Sequence, residues 1–211
     1  LLRNFNYPYF SRDIAEFWRR WHISLSSWFR DYLYIPLGGS KGGLWMKIRN
    51  TFIIFIVSGF WHGANWTYLM WGFINAIYFL PLLLLRKNRN NTDEVDIKFR
   101  FSSLKTLLNI LFTFGLTCFA WIFFRAEDIF TAFNYIQRIF AFNIDFQNLK
   151  GQISFTTTFV LLYLVLLEWN NRKIECPLNG KLSKVKILAA IVLILLLGEF
   201  NIKNNFIYFQ F

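Results

Sequence analysis

Between Thr67 and Leu85 the chain reads TYLMWGFINAIYFLPLLLL, without one charged side chain. In helical form such a stretch is roughly 28 Å long, close to the thickness of a bilayer's hydrocarbon core. Lipid offers no partner to backbone N–H and C=O groups, so a segment of this kind is expected as a helix that satisfies them internally. Comparable apolar runs recur at Thr106–Phe124, Gly151–Trp169 and Ile187–Phe200. Composition points the same way. With 55% hydrophobic residues, 27 Phe and 9 Trp in 211 positions, too few polar residues remain to cover a soluble domain. The expected fold class is all-α: a polytopic transmembrane helical protein with interfacial or re-entrant amphipathic helices, in one domain.

The net charge of +11 has a simpler origin than nucleic acid, and no nucleic-acid partner is expected. Lys and Arg cluster in residues 1–50, 86–105 and 170–186, whereas 125–150 holds only Arg125, Arg138 and Lys150. Placing the first three segments in the cytoplasm and the fourth outside satisfies each crossing by the positive-inside rule. The expected location is therefore the inner (cytoplasmic) membrane, crossed several times, with the C-terminal tail outside. Cys118 and Cys176 form neither a CxxC nor a disulfide framework. The chain opens on Leu1 with no signal-peptide pattern behind it and is read as starting partway through a longer protein.

Residues 12–33 project as an amphipathic helix, with Glu16, Arg19, Arg20 and Arg30 on one face and Phe17, Trp18, Trp21, Trp28 and Phe29 on the other. It is too charged to cross and suits the membrane interface. Ser11 is its expected N-cap, and Glu16–Arg20 an i,i+4 pair worth a few tenths of a kcal/mol. Pro36 to Gly43 should break it. A histidine-bearing segment at about 50–66 follows, too short in its apolar part to cross alone. Asp128 is the expected N-cap of an amphipathic helix carrying Ile129, Phe133, Ile136 and Phe140.

The chemistry concentrates at Phe60-Trp61-His62-Gly63-Ala64-Asn65-Trp66. An ionisable residue at membrane depth is costly unless paired or used. If a helix continued through Gly59 and Gly63, Ser58, His62 and Asn65 would share one face at i, i+4 and i+7. A neutral imidazole there suits a general base taking the proton of an incoming hydroxyl, with an amide to orient it or the developing oxyanion. The alternative is a structural histidine bonded to a helix carbonyl. Trp61, Trp66 and Trp71 read as packing and interface anchors, Trp61 supporting the imidazole next to it. His22 lies at the seam of the first helix, a position that requires no function. Two histidines forty residues apart do not make a metal site, and Gly38 to Gly43 lacks P-loop spacing.

Two blocks resemble the membrane-bound O-acyltransferase family, in its alginate O-acetyltransferase-like bacterial branch. One runs from Phe5-Asn6-Tyr7-Pro8-Tyr9-Phe10-Ser11 through Glu16-Phe17-Trp18-Arg19-Arg20-Trp21-His22 to Pro36-Leu37-Gly38-Gly39; the other is Gly59 to Trp66 with Trp71-Gly72. The resemblance covers the whole chain as the C-terminal part of a member about twice as long. It implies acyl transfer across the bilayer to an extracytoplasmic polysaccharide hydroxyl, with His62 as the catalytic histidine and His22 as the second. It also implies no bound cofactor, an acyl donor such as acetyl-CoA or an acyl carrier as co-substrate, contact with membrane lipids, and a periplasmic or extracellular acetyltransferase partner. A teichoic acid type D-alanyl transferase and a non-catalytic export or channel subunit are the alternatives. Relatives often carry a further histidine where this chain has Asn75, which puts a third imidazole in doubt.

The closing Phe206-Ile207-Tyr208-Phe209-Gln210-Phe211 also resembles a terminal motif of this branch, in which the tyrosine carries the acyl group as an ester. A phenol with a pKa of about 10 is a better leaving group than a sugar alkoxide. The other reading is an aromatic interface anchor. Tyr208→Phe separates them, because it keeps the ring and removes the hydroxyl. A relay predicts loss of glycan acylation in that variant, measured as ester-linked acyl groups on isolated polysaccharide; full acylation leaves the anchor.

Overall fold

A computed structural model describes residues 3–92, 101–141, 155–172 and 183–197. They fall in two compact units, Leu1–Ser154 and Phe155–Phe211, and no strand occurs among the described residues. In the first unit a 3-10 turn, Pro8–Phe10, precedes α1 (Ile14–Arg20) and α2 (Ile23–Phe29), and a π-helical turn, Arg30–Tyr34, extends α2. Then come α3 (Gly43–His62), α4 (Trp66–Leu84), α5 (Phe101–Arg125) and α6 (Ile129–Phe140). The second unit holds α7 (Phe155–Asn171) and α8 (Ser183–Leu197), where the Lys186 ammonium donates to Asn171 Oδ1 at 2.9 Å.

Two helices are long and apolar enough to cross a membrane, Trp66–Leu84 and Leu104–Arg125; Thr158–Asn171 is apolar but shorter. The first two coincide with the expected spans. The expected spans at 151–169 and 187–200 lie partly outside the described residues, and their described parts are helical.

The continuous helix expected over residues 12–33 is not formed. It breaks at Trp21, which is extended (φ −102°, ψ 128°), and at His22, which is left-handed (φ 44°, ψ 56°). Amphipathic periodicity survives such a break because both halves still present an apolar face inward. Asp13, not Ser11, caps α1, its Oδ1 accepting the Glu16 N–H at 2.7 Å; the Ser11 hydroxyl instead donates to the Pro8 carbonyl at 2.6 Å. Glu16 is also not on a wet face. It is 1% exposed and its carboxylate accepts from Arg12 at 3.0 Å and Arg20 at 2.6 Å. Removing one partner from a buried pair of this kind costs about 3–5 kcal/mol, an order of magnitude above a surface i,i+4 pair.

The histidine-bearing segment is also longer than its apolar run. α3 begins at Gly43, and its charged first half sits over the glycine-rich loop. There the fully buried Asn50 amide donates to the Gly39 carbonyl at 3.0 Å and the Leu37 carbonyl at 3.3 Å. Polar side chains that staple a loop leave no trace in hydrophobic periodicity. Asp128 caps α6 as expected, accepting the Thr131 N–H at 2.7 Å. That hydrogen bond holds its carboxyl below the usual carboxylate range, so the cap is ionised at neutral pH.

α3 and α4 form a hairpin whose backbones nearly touch. A Cβ on Gly59 would collide with the Tyr68 carbonyl, and one on Gly72 with the Phe55 carbonyl. These two glycines, set on opposite helices, allow the close approach that small residues give helix pairs in membranes. Where α4, α5 and α6 meet, Trp71, Ala120, Phe123 and Ala132 form the buried core. Gly72→Ala should lower the stability of the purified protein by about 1–3 kcal/mol through overpacking. Gly115→Ala, whose Cβ would meet nothing, should be neutral or slightly stabilising. Thermal unfolding in detergent checks both.

Candidate active site

His62 is the last residue of α3. Gly63 leaves the helix at φ 156°, ψ 152°, a conformation that residues with a Cβ rarely adopt. Asn65 then caps α4, its Oδ1 accepting the Thr67 N–H at 3.1 Å while its Nδ2 donates to the Glu127 carbonyl at 2.9 Å. The three-residue face therefore divides. Ser58, buried one turn before His62, stays on the same face of α3, but Asn65 belongs to the next helix with both ends of its amide engaged. It ties the α3–α4 turn to the α5–α6 junction and is not free to orient a ligand.

Aromatic rings wall the half-buried imidazole. Phe124 of α5 lies 4.9 Å away at 79°, Trp71 of α4 5.5 Å away at 90°, and Trp61 5.0 Å away at 74°. Such edge-to-face contacts hold a ring by geometry without using its nitrogens. Tyr68 stands further off, at 6.3 Å. Among the described residues the ring has no hydrogen-bond partner, so the structural alternative, an imidazole bonded to a helix carbonyl, is not what is seen. Trp61 is 57% exposed and Trp66 75%, as anchors at a surface would be, whereas Trp71 is core.

His22 reaches the site by a different route. It sits in the α1–α2 break with a left-handed backbone, a conformation costing of order 1–3 kcal/mol unless its surroundings impose it. The N-terminal strap imposes it. The Asn4 carbonyl accepts the Ile23 N–H at 3.0 Å, the Asn4 Oδ1 accepts the Ser24 N–H at 3.0 Å, and the Asn6 N–H donates to the Arg20 carbonyl at 2.9 Å. Asn4 thus supplies the N-cap of α2 from twenty residues upstream, and the His22 side chain makes no capping bond. Its Nδ1 is buried with no hydrogen-bond partner. A buried nitrogen left in that state costs on the order of 1–3 kcal/mol and marks a place where a ligand or water would be accommodated. The two histidines lie within electrostatic reach of each other.

Nearby, α1 is tied to the segment after α4. Arg19 donates to the Asn88 carbonyl at 2.9 Å and the Asn91 carbonyl at 2.8 Å. Burial draws the Arg19 pKa below its ordinary value, and Asp13 and Glu16 work against that shift. No group of three metal-binding side chains occurs among the described residues. Tyr208 lies outside them. The roles of Asn4 and Glu16 carry no local sequence signature, since one acts across twenty residues and the other looks like any surface helix acid.

A half-buried imidazole at a helix end, walled by aromatic edges and within electrostatic reach of a second imidazole, is the candidate site of this helical membrane protein. Residues 2–124 match the model of the membrane-bound O-acyltransferase family, and the chain belongs to that family. It is 37% identical over 194 residues to the probable alginate O-acetylase AlgI of Pseudomonas aeruginosa, covering 87% of this chain and 34% of that one. It is 40% identical over 140 residues to the peptidoglycan O-acetyltransferase of Helicobacter pylori, covering 66% and 25%. With the teichoic acid D-alanyltransferase of Bacillus subtilis it shares 32% over 134 residues, covering 59% and 32%. The match spans a quarter to a third of the length of these three relatives.

Replacing Asn4 with Ala should cost about 0.5–2 kcal/mol, the range for losing an N-cap. Asn4→Asp keeps the acceptor and should restore most of it. Thermal unfolding of the two variants checks the strap.

Proposed function

We propose that this chain is the C-terminal part of one membrane-embedded O-acyltransferase domain, which O-acetylates an exported or cell-surface polysaccharide with His62 as general base. The observation that carries the proposal is the His62 ring, held by aromatic edges and keeping its nitrogens for a ligand. The neutral imidazole takes the proton of a sugar hydroxyl as its oxygen attacks the acyl carbonyl, forming the new C–O bond. The resulting imidazolium returns the proton to the departing group as the old acyl bond breaks. That group is the thiol of acetyl-CoA or of an acyl carrier, or the Tyr208 phenol if the tail relays the acyl chain. His22, its Nδ1 open to the interior, orients the acyl group or a water beside His62. Ser58 and Trp61 support the ring, and Asn65 holds the turn that carries it.

The domain is placed as a multi-pass protein of the inner membrane, with α1, α2 and the π-turn at its cytoplasmic interface. Two contacts support this topology. Arg19 meets residues 88 and 91, joining two segments assigned to the cytoplasm by their charge. Asn65 meets Glu127, joining the end of α3 to the segment assigned outside. His62 then lies toward the outer side at the end of a partly apolar α3 that starts from the cytoplasmic side, where a polysaccharide and a periplasmic or extracellular acetyltransferase partner would meet it.

Alignment over more of the chain, 87% and 66% against 59% and 35%, favours acetyl over D-alanyl transfer. In the full-length protein, His62→Ala should cut acetate releasable from isolated cell-surface polysaccharide by 10²-fold or more, the typical contribution of a general base or above, with membrane insertion unchanged. Retained acetate would remove the enzymatic reading.

A further inference from the structure

One buried amide joins α1, which ends just before His22, to α4, whose Trp71 packs against His62. Asn75 of α4 is 3% exposed, inside a helix that fits a membrane span, where an unsatisfied polar group is expensive. Both ends are satisfied. Its Oδ1 accepts the Trp18 indole N–H of α1 at 3.3 Å, and its Nδ2 donates to the Trp71 carbonyl at 2.8 Å. An indole only donates and a carbonyl only accepts, so the two partners fix which way the amide points.

The two tryptophans held this way meet edge to face, 5.7 Å apart at 70°. Trp71 is in turn perpendicular to the His62 ring, and Trp18 belongs to the helix that ends just before His22. Trp18 also packs on Phe55 of α3 at 5.2 Å, and Trp71 on Phe124 at 5.3 Å. Every ring in this chain has its orientation set by the next, but edge-to-face contacts are soft in angle. The amide supplies a directional bond between α1 and α4. With Asn75 replaced by an apolar residue, the partly buried Trp18 N–H would lose this acceptor and both indoles would be freer to rotate.

We infer that Asn75 is a positioning residue of the acyl-transfer site, fixing the Trp18–Trp71 pair so that the Trp71 edge holds the His62 imidazole in its working orientation. The inference rests on the proposed role of His62. It predicts which replacements are tolerated. An imidazole offers one acceptor nitrogen and one N–H, the same pair of functions the amide uses, so Asn75→His should serve both partners. Asn75→Leu removes both, and Trp18→Phe keeps an aromatic ring but removes the donor.

The test uses the full-length protein in membranes with two readouts. One is acetate released from cell-surface polysaccharide. The other is carbethoxylation of His62 by diethylpyrocarbonate across a pH series, followed by mass spectrometry of the His62 peptide, which needs no donor or acceptor. Asn75→Leu and Trp18→Phe should lower acetylation on the order of tenfold, within the range that a displaced catalytic group produces, and shift the pH profile of His62 reactivity. Asn75→His should retain both. If Asn75→Leu does not accumulate in the membrane, Trp18→Phe decides. Wild-type acetylation and an unchanged His62 profile in Trp18→Phe, or failure of Asn75→His to restore them, overturns the inference. Loss of the enzymatic reading would show separately, as acetate retained in His62→Ala.

Discussion

The close approach of α3 and α4 at Gly59 and Gly72 is the constraint on which the rest of the first unit depends. A side chain at either position would collide with the facing backbone carbonyl and force the two helices apart. Trp71 would then no longer stand edge-on to His62 at 5.5 Å, and the short Gly63–Asn65 turn would have to lengthen. Lipid gives no hydrophobic drive for helix pairing, so such contacts have to come from packing that only small residues permit.

Around this hairpin, polar groups are used sparingly and in pairs. Glu16 is shared by Arg12 and Arg20, Asn50 holds two loop carbonyls, and Asn75 joins a donor to an acceptor. Two buried side-chain atoms among the described residues break the pattern, His22 Nδ1 and Thr67 Oγ1. His22 is also the residue held in a left-handed backbone by the N-terminal strap. Asn4 and Asn6 hold the backbone on either side of this residue, so a strained conformation and an unsatisfied nitrogen fall at one position.

The lipid-compatible surface is visible in the same helices. Leu107, Leu108, Leu111 and Phe112 of α5 are exposed, while Thr113, Thr117, Ala120 and Phe123 of the same helix are buried. Leucines outward, with two threonines and an alanine buried beside Ile110 and Phe123, suit a helix whose surroundings are as apolar as its core. Membership of the membrane-bound O-acyltransferase family accords with it.

Length and hydropathy alone located α4 and most of α5, because a charge-free run of nineteen residues has few options in water or lipid. The cap at Asp128 and the chemical prominence of His62 were legible for similar reasons: each is a local pattern, a side chain one turn from its partner or an imidazole among aromatics. What required tertiary structure was everything acting across the chain. The α1–α2 break is invisible to a periodicity that both halves obey, and Asn4 supplies its cap from twenty residues away. The helix end at Gly63 removed Asn65 from the face of His62 because a glycine can leave a helix wherever another element needs the turn. His22 looked dispensable on one helix seam; its electrostatic effect on His62, forty residues away in sequence, appears only in the tertiary structure. Local free energies set the helices, whereas the few directional bonds between distant residues decided how the backbone around each imidazole is held.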